Sequence, residues 1–186
     1  MTSLFQEPHI KNLHIIDPYT ISNEQCPVFV QCADMRSFFG WGIRKRTKSN
    51  FNHSMLLYRK GLLATQSWTF KTIDIKEYMK PGQILKFWVC QDITAEERTA
   101  IIFEAVYELK KSWHKRLYDI PGVVGQLFGL RWFNVPGLNY CSERVVKLVK
   151  VLFPNYKRNH PTPEDIDSLF KGSERMAVLG YYAEGL

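Results

Sequence analysis

Residues 53–70, HSMLLYRKGLLATQSWTF, form two β-prone runs hinged on Arg59, Lys60 and Gly61, the pattern of an antiparallel hairpin. A lone hairpin is marginal in water, so this one needs further strands or a helix against its apolar face. CPVFVQC, 26–32, reads as an early strand. SFFGWGIRKRTKSN, 37–50, reads as a short helix followed by a polar loop. DIKEYMKPGQILKFWVCQ holds a short helical segment, a Pro81–Gly82 turn and a strand ending near Cys90.

The second half changes period. Thr94 and Glu97 in TAEE make a capping box. An apolar stripe then follows through Ile101, Ile102, Ala105, Val106, Leu109 and Trp113. HPTPEDIDSLF has the proline and acid placement of a final helix start. Strands first and helices afterwards predict an α+β fold, an antiparallel sheet packed against helices. At 186 residues, with 45% apolar and 14% aromatic side chains, the chain can bury one sizeable core. It reads as a single domain, 1–186, with 1–25 as an N-terminal extension.

Composition narrows the chemistry. A net charge of +7 permits contact with phosphate but is common among soluble domains, and RKRTK, 44–48, reads as a solvated loop. Nucleic acid is not an expected partner. The N-terminus lacks the pattern of a signal peptide, and no run is long enough to span a bilayer. Cys26, Cys32, Cys90 and Cys141 show no CxxC pairing, and the histidines and cysteines lack zinc-type spacing. Free thiols, no metal, no cofactor and a cytoplasmic location are the expectations.

LNYCSERVVKLV, 138–149, sets one of these cysteines apart. Val145, Leu148, Val149 and Leu152 mark one helical face, and Gly137 and Asn139 mark a turn before it. Cys141 then lies in the first helical turn, where unpaired N–H groups and the macrodipole favour a thiolate. A small, packed apolar residue is the other reading, and the choice requires a base. His53 opens the first hairpin strand beside a loop, a rigid yet accessible position.

The order NHSMLLY, LLATQS, LYDIPGVVGQLF, NYCSERVVKLV, TPEDI resembles the circularly permuted, YiiX-like branch of the NlpC-type papain-like cysteine peptidases and amidases. The resemblance covers roughly residues 28–170, and no single piece is highly specific. In that branch the histidine strand precedes the cysteine helix. The resemblance implies Cys141 as nucleophile, His53 as general base, and a polar residue on the next strand that orients the imidazole. That position corresponds to Gln66. With a two-residue turn at Lys60–Gly61, Gln66 shares the His53 face, diagonal to it; a three-residue loop instead puts Ser67 opposite His53. By resemblance Tyr118 lines the site and its phenol assists the oxyanion, while Asp119 braces the loop; Tyr140 is an alternative core residue. Cys26, Cys32 and Cys90 read as structural, and His9, His14, His114 and His160 as solvated or locally bonded.

The expected function is a thiol hydrolase that cleaves an amide bond through a Cys141 acyl-enzyme. The resemblance implies a peptide substrate derived from cell-wall stems, acted on in recycling or by a phage-encoded enzyme. Two alternatives stay open: a lipid-directed acyltransferase or hydrolase like lecithin:retinol acyltransferase, with VVGQLFGLRWF lining an acyl site, and a catalytically weak binding protein, again phage-encoded. Oligomeric state is left open.

Overall fold

The computed structural model describes residues 13–117, 119, 141–158 and 161–184. Six strands build one sheet: β1 (Val28–Asp34), β2 (His53–Arg59), β3 (Leu62–Gln66), β4 (Phe70–Asp74), β5 (Gln83–Cys90) and β6 (Met176–Ala183). Their spatial order is β4-β3-β2-β1-β5-β6, and every neighbouring pair is antiparallel. Four α-helices accompany it among the described residues: α1 (Phe38–Thr47), α2 (Ala95–Lys110), α3 (Cys141–Leu152) and α4 (Pro163–Lys171). The fold is α+β.

Alternation along the strands divides the core in two. One face carries Phe29, Leu56, Ala64 and Trp88 beneath Ile101 and Ala105 of α2, Val145 and Val149 of α3, and Ile166 and Phe170 of α4. The other carries Val30, Cys32, Met55, Leu57, Leu85 and Phe87, closed by Ile21, Ile75 and Tyr78. The described part of the N-terminal extension lies against this sheet: Ile16 donates to the Tyr181 carbonyl, and Tyr181 donates to the His14 carbonyl, both at 2.8 Å.

Local signals placed most of these elements. The Thr94 hydroxyl accepts from Glu97 N–H and the Glu97 carboxylate accepts from Thr94 N–H, both at 3.1 Å. Thr162 and Asp165 repeat the device at the start of α4. Two strands departed from the reading. β4 is an edge strand with Lys71 and Thr72 exposed, so its apolar content is too low to announce it. β6 returns after the last helix, and Gly180 interrupts its β-prone run. Trp113 lies beyond the end of α2, in a 3-10 turn spanning Trp113–Arg116. Among the described residues no helix is long and apolar enough to cross a membrane.

A buried polar cluster joins α3 to its surroundings. Arg144, 2% exposed, donates to the carboxylate of Glu108 on α2, to Gln66 Oε1 on β3 at 3.1 Å and to the Lys115 carbonyl at 2.6 Å. Its guanidinium also lies 5.4 Å from the centre of the Phe70 ring. Removing one member of a buried ion pair leaves the other charge uncompensated. Glu108→Ala is therefore expected to destabilise the fold by ~3–5 kcal/mol, measured by urea denaturation.

Candidate active site

The site forms where β2 begins and α3 begins. β1 and β2 pair with Cys32 opposite His53 and Gln31 opposite Ser54. The residue before His53 is fixed: Asn52 N–H donates to the Cys32 carbonyl at 3.0 Å, and its Oδ1 accepts from Asp34 N–H at 2.7 Å and from Arg44 at 3.2 Å. Phe51 is fully buried. The loop entering β2 thus sets where the imidazole stands.

Cys141 is the first residue of α3 and is 4% exposed. The His53 imidazole and the Ser54 backbone N–H are near enough to its sulfur to favour the charged form of the thiol. Ser142 Oγ lies 3.8 Å from it. The structure therefore brings the two residues singled out in the sequence close enough for the imidazole to act on the thiol.

The four thiols, all free and buried, divide three against one. Burial, the largest cause, pushes Cys26 and Cys90 up to about 11 and Cys32 higher still, with nearby acids adding to it. Burial pushes Cys141 upward too. There the charge of His53, its hydrogen bond, the Ser54 N–H and the Ser142 hydroxyl prevail, and the thiol falls below its ordinary value. The macrodipole at the start of α3 acts in the same direction.

Gln66 does not orient His53. Its amide donates to the Arg116 carbonyl at 2.8 Å and its oxygen accepts from Arg144, on the helix-covered side of the sheet. The group on His53 is Thr65, whose hydroxyl lies 2.7 Å from Nε2. The cause is register. The turn is indeed two residues, Arg59 pairing with Leu62 across Lys60 and Gly61, with Gly61 at φ +71°. Leu57 nevertheless pairs with Leu63, so Tyr58 is an extra residue and the ladder slips by one. Continuing from Leu56–Ala64, Thr65 falls opposite Met55 and on the His53 face.

Tyr78 completes the surroundings of the imidazole. Its ring stacks on His53 at 5.7 Å between centroids, and its hydroxyl lies 3.3 Å from Thr65 Oγ1. Burial keeps the phenol protonated well above its usual range. Neither Thr65 nor Tyr78 stood out in the sequence; knowledge of the bulge would have found the first, and nothing local marks the second. Tyr118 and Tyr140 lie outside the described residues, as do VVGQLFGLRWF, His9 and His160; Asp119 is fully buried.

A lowered thiol beside His53 makes a specific demand on reactivity. At about pH 6.5, well below the ordinary thiol range, iodoacetamide is expected to label Cys141 first and Cys26, Cys32 and Cys90 slowly. His53→Ala should abolish the preference, read by peptide mapping. Thr65→Val should weaken it more than Gln66→Ala does.

No family model matches the chain, and no curated protein matches it. Among solved structures it is similar to the metalloprotein yiiX from Escherichia coli O157:H7, at 14% sequence identity and a TM-score of 0.55. That match covers 83% of this chain and 96% of the other. Among the described residues no group of three or more His, Cys, Asp and Glu side chains converges. At this identity the likeness concerns the fold alone, and the fold is yiiX-like.

Proposed function

We propose that the chain is a thiol hydrolase that cleaves an amide bond through a Cys141 acyl-enzyme, on a circularly permuted papain-like frame of NlpC type. One observation carries the reading: of four buried thiols, the one held on His53 is lowered while burial raises the other three. The permuted frame is supported by chain order, with the histidine on β2 and the cysteine later on α3.

In this reading the Cys141 thiolate attacks the amide carbonyl carbon, and a sulfur–carbon bond forms. The oxyanion meets the Cys141 N–H at the helix start. With Nε2 engaged by Thr65, Nδ1 is the nitrogen left for proton transfer, and the imidazolium gives its proton to the leaving nitrogen as the carbon–nitrogen bond breaks. His53 next takes a proton from water, which attacks the thioester; the carboxylic acid leaves and the thiol is restored. Thr65 does the orienting work expected of Gln66. A hydroxyl holds the tautomer but does not stabilise imidazolium as a carboxylate would. The substrate of this reading is a cell-wall-type peptide handled in the cytoplasm, where free thiols persist.

The test is intact-mass analysis of the protein with stem-type peptides and, separately, with acyl lipids. The expected result is an acyl adduct on Cys141 from the peptides, absent in Cys141→Ser. His53→Ala should lower turnover by ~10²–10⁴-fold. Hydrolysis that survives Cys141→Ser would end the reading, and an adduct from lipids alone would move the substrate class.

A further inference from the structure

We propose that α1 is a docking surface for an anionic lipid bilayer, placed at the same end of the sheet as Cys141 and His53. Among the described side chains of α1 the usual pattern is reversed. The buried positions are Gly40, where a Cβ would meet the Asn52 side chain at 3.1 Å, and Arg44, 3% exposed, bonded to the Asp34 carbonyl and Asn52 Oδ1, with Ile43 half-buried between them. Its outward positions include Phe38, 85% exposed, and Trp41, 38% exposed, with their rings stacked at 5.6 Å. A helix on an ordinary solvated surface does the reverse. The inward arginine anchors the end of β1 to the loop entering β2, and the aromatics are left with no such duty.

Charge completes the surface. From Met35 to Ile73 the chain carries eight Lys and Arg residues and no Asp or Glu. Lys45, Arg46 and Lys48 are exposed at the end of α1, and Lys45 Nζ sits 4.9 Å over the Trp41 ring. Aromatic rings at headgroup depth with lysines and arginines reaching the phosphates are the chemistry of a peripheral helix on an anionic leaflet. A second copy fits worse, because two such helices would face each other with like charges. Single-stranded nucleic acid fits worse too: the two rings stack on each other and leave no slot for a base. Trp68, 75% exposed on the turn between β3 and β4, adds a third outward aromatic at this end of the sheet.

Because α1 runs directly from β1 to the loop before His53, a bilayer under α1 lies beside the dyad. The docking does not rest on the hydrolase reading. The experiment is co-sedimentation of the full chain with vesicles of phosphatidylcholine alone and of phosphatidylcholine with phosphatidylserine. Binding is expected to the anionic vesicles, to fall as salt rises, and to drop by ~10-fold or more in Phe38→Ser/Trp41→Ser and in Lys45→Glu/Arg46→Glu. Unchanged thermal melting of these surface variants shows that they fold. Cys141→Ala should bind as the native chain does, so docking and catalysis are read apart. Equal binding to neutral and anionic vesicles, binding indifferent to the aromatic substitutions, or no vesicle binding with a dimer that those substitutions dissociate would each overturn the proposal.

Discussion

The position of the thiol depends on how α3 is held, and Arg144 holds it. Apolar packing draws the helix onto the sheet but is indifferent to small sliding movements. A guanidinium offers a rigid fork of donors instead. One turn beyond Cys141, Arg144 engages α2 through Glu108, β3 through Gln66, and the following segment through the Lys115 carbonyl. A shift of one residue along the helix moves the helix start by about 1.5 Å, enough to break those bonds and the contact of sulfur with His53. The cluster's contribution to net stability is modest, as for buried ion pairs in general; its effect is to select one placement.

With the helix fixed, burial and activation oppose each other at one atom. Cys32 makes the comparison internal to the protein. It sits opposite His53 in the ladder, yet its side chain lies among Val30, Met55 and Leu57, and its thiol is raised. Adjacency in the sheet is therefore not enough. Cys141 comes from outside the sheet, on α3, where the imidazole and the Ser54 backbone N–H favour its charged form.

The legible features were those written in short stretches of chain. The hairpin, the capped start at Thr94 and the helix beginning at Cys141 each have a local cause, and each formed where the residues indicated. The orienting partner of His53 was not legible because one bulge at Tyr58 decides it, and YRKG carries no mark of a bulge. Gln66 and Thr65 are adjacent, so an error of one residue exchanges an orienting group for a member of the arginine cluster. Glu108 and Arg144 were illegible for another reason. Each reads as a solvated charge on an amphipathic helix, and each is buried against partners that are distant in sequence.

Chain connectivity gives the arrangement a further property. β1 to β4 follow one another in sequence and lie side by side in space, a meander closed by short-range contacts. His53, Ser54, Thr65 and Tyr78 all come from this part of the chain or the turn that follows it, whereas Cys141 arrives some ninety residues after His53. Contacts within such a meander close small loops, while the thiol must close a large one. A chain with only its meander formed would hold the imidazole setting without the thiol of Cys141. The lowering of that thiol is thus a property of the completed molecule, present only once the two halves of the chain have docked.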